Sequence, residues 1–444
     1  MSSPPVPRPL SVAELDLDAP DGPVLGLRPA PGGPAVVPGD VYALVRLRGR
    51  PAATVVGTVA DGEDPAEVLA ALARRRLAQE GKPRTDAERL AAAREDAAEG
   101  SSEDASDALT PPRTSVVVAT RERTESLARA LDSLLVQDHP DFELIVVDNA
   151  PRTTDTHELV TRKYAQHAEY ADRVRYVRED TPGLATAHNT GLAAAEGAVV
   201  AFTDDDVIAD PHWLTALTAP FAGDPGLGCV TGLILPARLS TPAQVLLESH
   251  GGFAKGFAPR LYDPARPPAD EPLFPFTAGS FGSGANMAFR ADALRRAGGF
   301  DPATGTGTAA RGGDDLYAFV AVLSAGFRLR YTSEALVWHH HRDTWQDLRN
   351  QAYGYGAGLT AYLTATLVRS PRLLPALLAR LPRGLAHART MTAQRGEIPE
   401  GGVPGEHGTQ HHPWPASLSR LERRGMLYGP IGYAKARLRK ADTR

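Results

Sequence analysis

From Thr114 to Asp206 short apolar runs alternate with runs of helical period, and the last apolar run stops in three consecutive carboxylates. Ser115-Val116-Val117-Val118-Ala119 reads as a buried strand, followed by Leu127, Ala130, Leu131, Leu134 and Leu135 at helical spacing. Phe142 to Val147 is the next strand and ends in Asp148; Val174 to Val177 is a third. A helix from Ala185 to Ala195 then leads into Ala198-Val199-Val200-Ala201-Phe202-Thr203 and the triplet Asp204-Asp205-Asp206. This rhythm constrains the chain to an α/β fold with a mostly parallel sheet and helices on both faces. Ligands of such open sheets collect at the carboxyl ends of strands, where the triplet sits.

Three adjacent acids repel one another, so a cation between them is the arrangement that makes sense of the cluster. Mg²⁺ or Mn²⁺ are the expected ions, because both prefer oxygen ligands and share their shell with phosphates. The other reading is a solvated acidic turn before a helix that opens at Asp210-Pro211.

At 444 residues the chain has room for two or three domains. Its 42% hydrophobic and 23% charged residues are those of a globular protein, and a net charge of −5 gives no nucleic-acid footprint. The single cysteine, Cys229, lies in an apolar run and reads as a buried thiol; neither an internal disulfide nor a thiolate metal site can form. Met1 to Gly22 has no signal-peptide pattern, and no run reaches the length of a membrane span, so a cytoplasmic location is expected.

Residues 1–95 read as a small α+β module, with strands at Val41-Leu47 and Ala53-Val59 and a helix opened by Asp64-Pro65. Two strands and a helix are marginal alone, so the module should pack on its neighbour. Residues 96–112 are polar and acidic, a linker. Residues 113–345 are expected to form the α/β unit that carries the strand-end acids, and 346–444 to be mainly helical.

The order of motifs resembles inverting family-2 glycosyltransferases of the GT-A fold, a Rossmann-like sheet with flanking helices. The matching stretches are Val117 to Arg123, Val146-Val147-Asp148-Asn149, Gly183 to Gly191, Phe202 to Asp206, Gly284 to Arg290, Gly298 to Asp301, Gly313 to Leu316 and Val337 to His341. Eight in family order carry more weight than any one.

The resemblance implies a metal-dependent transfer of a sugar from a nucleotide-diphosphate donor to a glycan, lipid-linked or small-molecule acceptor. Asp204 and Asp206 face one side of an extended segment, giving an Asp-x-Asp clamp with Asp206 the best direct ligand and Asp204 bound through water or against the ribose. Which of the three acids binds directly, Asp205 included, stays open. Asp148 is implied as the acceptor of a nucleobase hydrogen bond, with Thr120 and Arg123 lining the same pocket and Asn189 near the ribose or donor sugar. Of the three consecutive histidines, at most His339 and His341 can share a site with the metal or diphosphate. Gly284 and Asn286 belong to the wall where acceptor and donor sugar meet.

A single displacement needs one carboxylate to take the acceptor's proton. Where the family carries Glu-Asp, this chain has Asp314-Asp315. Asp315 is the candidate base; Asp314 is left to steady an acceptor hydroxyl. Two alternatives remain, a nucleotidyltransferase and a non-catalytic nucleotide-sugar-binding scaffold. The absence of glycine from Ala119-Thr120-Arg121-Glu122-Arg123 disfavours the first. Leu-rich segments from Leu359 to Leu385, with Arg369, Arg372, Arg380 and Arg383 and a basic end at Arg437, Arg439 and Lys440, suggest either packing on the catalytic unit or weak peripheral contact with the inner face of a membrane.

Overall fold

The structure is a computed structural model that describes residues 7–80, 110–167, 170–250, 252–380, 382 and 414–441. The N-terminal part is a four-stranded sheet in the order β2-β1-β3-β4, built from β1 (Ser11–Leu17), β2 (Val24–Pro29), β3 (Gly39–Leu47) and β4 (Arg50–Val59). β3 and β4 are the two strands read from the sequence; β1 and β2 arise in the Pro- and Asp-rich start, where buried Glu14 breaks the apolar pattern. Successive β3 side chains point to opposite faces. Val41, Ala43 and Val45 meet Leu69, Ala70 and Ala73 of helix α1 (Pro65–Glu80). Tyr42 and Leu44 reach Leu233, Leu235, Leu336 and Trp338 of a larger sheet.

That packing carries a buried ionic clasp. Arg46 is 3% exposed and donates to Glu14 and to Asp210, each at 2.6 Å. Removing one member of a buried ionic group costs about 3–5 kcal/mol, so the clasp fixes how the two sheets meet.

The larger sheet has nine strands: β5 (Thr114–Thr120), β6 (Phe142–Asn149), β7 (Val174–Glu179), β8 (Val199–Asp204), β9 (Val207–Ala209), β10 (Leu227–Pro236), β11 (Arg260–Tyr262), β12 (Asn286–Arg290) and β13 (Arg328–His339). Its order is β11-β13-β10-β12-β8-β5-β6-β7, with β9 paired to β13. β7, β6, β5 and β8 are mutually parallel, as the strand–helix rhythm requires. Antiparallel β12 then separates β8 from β10, and β10 runs parallel to β13. Six strands therefore point one way and share a carboxyl edge, while β9, β11 and β12 reverse.

Each face of this sheet is covered. Helix α2 (Thr124–Leu135) lays Leu127, Leu131, Leu134 and Leu135 on Val116, Val118, Leu144 and Val146. Helix α3 (Leu184–Ala194) lays Ala185, Ala187 and Leu192 against Val117, Ile145, Val147 and Phe202. Cys229 is buried in that second core, as its apolar run suggests.

The other principal helices are α4 (Pro242–Ser249), α5 (Asp314–Ser324), α6 (Trp345–Arg369) and α7 (Ala416–Ala441). α6 and α7 touch through glycines: a Cβ at Gly425 would lie 2.2 Å from the Tyr353 carbonyl oxygen. Arg369 and the Tyr433 hydroxyl both donate to Asp301, at 2.9 and 3.0 Å, which anchors this helical pair to the α/β unit. Leu359 and Leu363 pack on the core as well. The linker expected over 96–112 lies outside the described residues as far as 109, and so do residues 383–413 of the helical region.

Candidate functional site

The carboxyl edge of the large sheet brings the acids together. Thr120 stands opposite Asp148 across β5 and β6, and Ala119 opposite Asp204 across β5 and β8. β9 then pairs Val207 with His339 at the end of β13, and the His340 amide donates to the Asp206 carbonyl oxygen at 2.9 Å. Residues over a hundred positions apart are thereby side by side.

Asp204, Asp206 and His339 each offer a ligand atom, all within 4.8 Å of one another. His339 Nε2 lies 3.2 Å from Asp206 Oδ1. Asp205 points elsewhere, accepting from the Thr120 hydroxyl at 2.7 Å and from one arm of the Arg123 guanidinium; the other arm reaches Asp206 Oδ2 at 2.9 Å. Arg342 adds positive charge 3.9 Å from Asp206. Thr120 and Arg123, expected to line a nucleotide pocket, therefore hold the triplet, although a third of the Arg123 side chain remains exposed.

Burial and the neighbouring Asp206 push the Asp204 carboxyl up, and burial pushes Asp205 up to about 6 despite Arg123. Burial acts on Asp206 in the same direction, but His339 and Arg123 outweigh it and hold that carboxyl well below the usual range. Burial would lower His339; Asp206 reverses the balance and raises it. The site is a partly buried, negatively biased cluster with the Arg123 guanidinium and the His339 imidazole set against it.

Asp148 is fully buried at the end of β6. One oxygen accepts from the Tyr176 hydroxyl at 2.9 Å and the other has no hydrogen-bond partner. Burial raises its carboxyl, and raises Tyr176 to about 12.

α5 begins at the second acid pair. Gly313 adopts φ +86°, the left-handed conformation in which glycine is unstrained, and turns the chain into the helix. Asp315 is half-buried and accepts from the Gly284 amide at 2.9 Å and from the Leu316 amide at 2.8 Å. Burial and Asp314 together push its carboxyl up to about 6. Asp314 is only 4% exposed, with Oδ2 3.2 Å from His188 Nδ1. The expectation that Asp314 steadies an acceptor hydroxyl gives way to this inward pairing. His188 also acts electrostatically on Asp204 and Asp315, so one buried imidazole sits within reach of both acid groups.

Three other expectations change. Asn286 is fully buried; it accepts from the Trp213 indole at 2.8 Å and donates to the carbonyls of Leu233 and Ala335 at 2.9 and 2.7 Å. It pins β12 to β10 and β13 and has nothing left for an acceptor. Asn189 clasps the backbone of Phe300 at both its N–H and its C=O, at 2.9 and 2.8 Å, rather than offering its amide to a ribose. His341 lies outside the three-ligand cluster: its Nε2 faces Glu248 Oε2 at 3.2 Å and its Nδ1 faces His339 Nδ1 at 3.0 Å.

His188, Glu248, Arg342 and Lys255, whose ammonium acts on Asp315, were not legible as site residues. Only His188 lay inside a recognised motif; the others reach the site from loops and a helix whose placement depends on the tertiary fold.

The sequence pattern of Glycosyl transferase family 2 matches residues 115–297. Over that segment the chain is similar to family-2 glycosyltransferases. A glucosyl-dolichyl phosphate glucuronosyltransferase from Haloferax volcanii is 25% identical over 199 residues, covering 44% of this chain and 57% of that one. A pre-mycofactocin glycosyltransferase from Mycobacterium tuberculosis is 32% identical over 221 residues, 47% of this chain and 42% of its own. The chain thus spans about half the length of these relatives. A solved mannosyltransferase from Pyrobaculum calidifontis, in complex with GDP-Man and Mn²⁺, aligns at 20% identity over 74% of this chain and 86% of its own, with a TM-score of 0.43. The glycosyltransferase match includes Thr120, Arg123, Asp148 and the acid triplet, whereas Asp314, Asp315 and His339 lie beyond it.

Replacing Asn286 by alanine strands the Trp213 N–H and two carbonyls in the core, each unpaired group costing about 1–3 kcal/mol. Asn286→Ala is expected to lose at least about 2 kcal/mol in urea unfolding; a loss confined to acceptor KM with normal stability would restore the binding role.

Proposed function

We propose that the protein transfers a sugar from a nucleotide-diphosphate donor to an acceptor hydroxyl, by single displacement with inversion, and that it needs Mg²⁺ or Mn²⁺ to do so. The observation that carries this reading is the partly buried cluster of Asp204, Asp206 and His339 at the carboxyl edge of a sheet that matches the glycosyltransferase family over residues 115–297. The residues suit such an ion: Asp206 Oδ1 is buried without a hydrogen-bond partner, and two carboxylates with one imidazole are a hard donor set. A bound cation there supplies neutralisation of the departing diphosphate.

The chain's own groups supply the rest. Asp148 offers a buried, unpartnered carboxylate oxygen that can accept an N–H from a nucleobase. Arg123 orients the triplet and keeps an exposed flank that can face phosphate oxygens. Asp315 takes the acceptor's proton; two backbone amides fix its carboxylate, and Gly284 leaves the space beside it open because a Cβ there would touch the Asp315 side chain at 3.4 Å. Asp314 and His188 hold the start of α5 from behind. Neither a nucleotidyltransferase nor a non-catalytic scaffold gains support from the family match.

A peripheral membrane contact fits α7 better than the Leu359–Leu385 stretch. Leu427, Ile431 and Leu438 are 79%, 54% and 67% exposed and share one helical face. Arg423, Arg424, Lys435 and Arg437 flank that stripe, all exposed, and the only acid of α7 is Glu422. An apolar stripe bordered by cations complements an anionic lipid surface. No helix among the described residues is long and apolar enough to cross a membrane.

Incubation with UDP-, GDP- and dTDP-sugars and Mn²⁺ is expected to release nucleoside diphosphate from at least one donor, and Asp206→Ala to abolish both this and Mn²⁺ dependence; pyrophosphate release would instead point to nucleotidyl transfer. Asp315→Asn is expected to lower kcat at least about 100-fold with donor KM little changed. Because the base must be deprotonated, wild-type kcat should rise as pH climbs through about 6 and level above it; a flat profile from pH 5 to 8 contradicts the assignment. Sedimentation with anionic liposomes at low salt should pellet the chain, and Leu427→Glu with Ile431→Glu should abolish it; no pelleting of wild type leaves the face without this role.

A further inference from the structure

His339 can ligate a cation only if its cluster-facing nitrogen, Nε2, carries a lone pair. The other nitrogen, Nδ1, sits 3.0 Å from His341 Nδ1. Two ring nitrogens in contact need one donor and one acceptor, so the protonation of His341 decides that of His339. His341 in turn places Nε2 3.2 Å from the Glu248 carboxylate, which only accepts. The proton of His341 therefore belongs on Nε2. With that proton on Nε2, Nδ1 is the nitrogen left to accept in the contact with His339. His339 must then donate from Nδ1, which leaves Nε2, facing Asp206 Oδ1 at 3.2 Å, as the nitrogen that a cation would take in place of a proton.

We propose that Glu248 and His341 are positioning residues that set the tautomer of His339 and so prepare it as a metal ligand. The proposal rests on the metal reading of the Asp204–Asp206–His339 cluster.

α4 is built to hold this arrangement. Thr241 and Gln244 form a reciprocal capping box at its start. Gln244 also donates to the His341 carbonyl at 3.0 Å, and Glu248 follows one turn later on the same face. One helix thus grips His341 by backbone and by ring. Phe253 packs on both imidazoles, with ring centroids 5.3 Å from His339 and 5.5 Å from His341. Glu248 is itself 3% exposed, and the fully buried Tyr42 of β3 lies within its electrostatic reach. The N-terminal module, which no catalytic motif touches, thereby closes the outer end of a line running Glu248, His341, His339, Asp206.

Second-layer partners of this kind typically change metal affinity about 10–100-fold. In the full chain, Mn²⁺ affinity read by electron paramagnetic resonance is expected to fall at least about 10-fold in Glu248→Leu, and Glu248→Gln, whose amide oxygen still accepts, should recover most of it. Imidazole ¹⁵N spectra of the metal-free wild type need no variant and should find the His341 proton on Nε2. Unchanged Mn²⁺ affinity in folded Glu248→Leu, equal loss in both variants, or a His341 proton on Nδ1 overturns the proposal. A wild-type chain that takes up no Mn²⁺ overturns the metal reading itself, a separate result from unchanged affinity in a variant.

Discussion

The site depends on the balance between the carboxylates of Asp204, Asp205 and Asp206 and the two groups set against them, the Arg123 guanidinium and the His339 imidazole. A lone ion moved from water into a protein interior loses several kcal/mol of hydration, so Asp204, Asp205 and Asp206 could not share one strand end without compensation. Arg123 answers Asp205 and Asp206 together in a two-armed contact, and His339 answers Asp206 from the opposite strand. At an effective dielectric of about 20, opposite charges 4 Å apart attract by about 4 kcal/mol, comparable with that penalty. The compensation is uneven: Asp206 is held ionised while burial and its neighbour drive Asp204 toward neutrality. A site of this kind has an unmet demand for positive charge.

The rest of the architecture serves to hold those groups in register. Arg123 enters from the loop between β5 and α2, the triplet from β8, and His339 from β13 after two antiparallel pairings have returned the chain to the same edge. Asn286 ties the intervening strand to both its neighbours through the core. The N-terminal sheet clamps the far side: Arg46 holds Asp210, just past β9, and Tyr42 backs Glu248. A module without catalytic motifs thus buttresses two separate elements that border the site, the end of β9 and helix α4.

The parallel half of the sheet and the strand-end acids were legible because their signals are local. Period-two burial on both faces produces continuous apolar runs, and a strand end in such a sheet is where polar residues gather. Alternation suggested Asp204 with Asp206 but left Asp205 open; β8 ends at Asp204, Asp205 and Asp206 occupy the turn to β9, and it is Thr120 and Arg123 that take up Asp205. β1 and β2 were obscured because Glu14 is buried by Arg46, a partner 32 residues away.

By itself the sequence determined the α/β class, the position of the triplet at a strand end and the acidic start of α5, since each follows from neighbours a few residues apart. Only the tertiary structure decided which polar side chains remain available. Asn286 and Asn189 sit in motifs that suggest ligand contact, yet folding saturates both with backbone partners from distant strands and loops. His341 alternates with His339 as two ligands would, but Glu248, 93 residues earlier, engages its ring. Motif spacing fixes where a side chain starts; hydrogen-bond partners far along the chain fix which of its atoms are left to act.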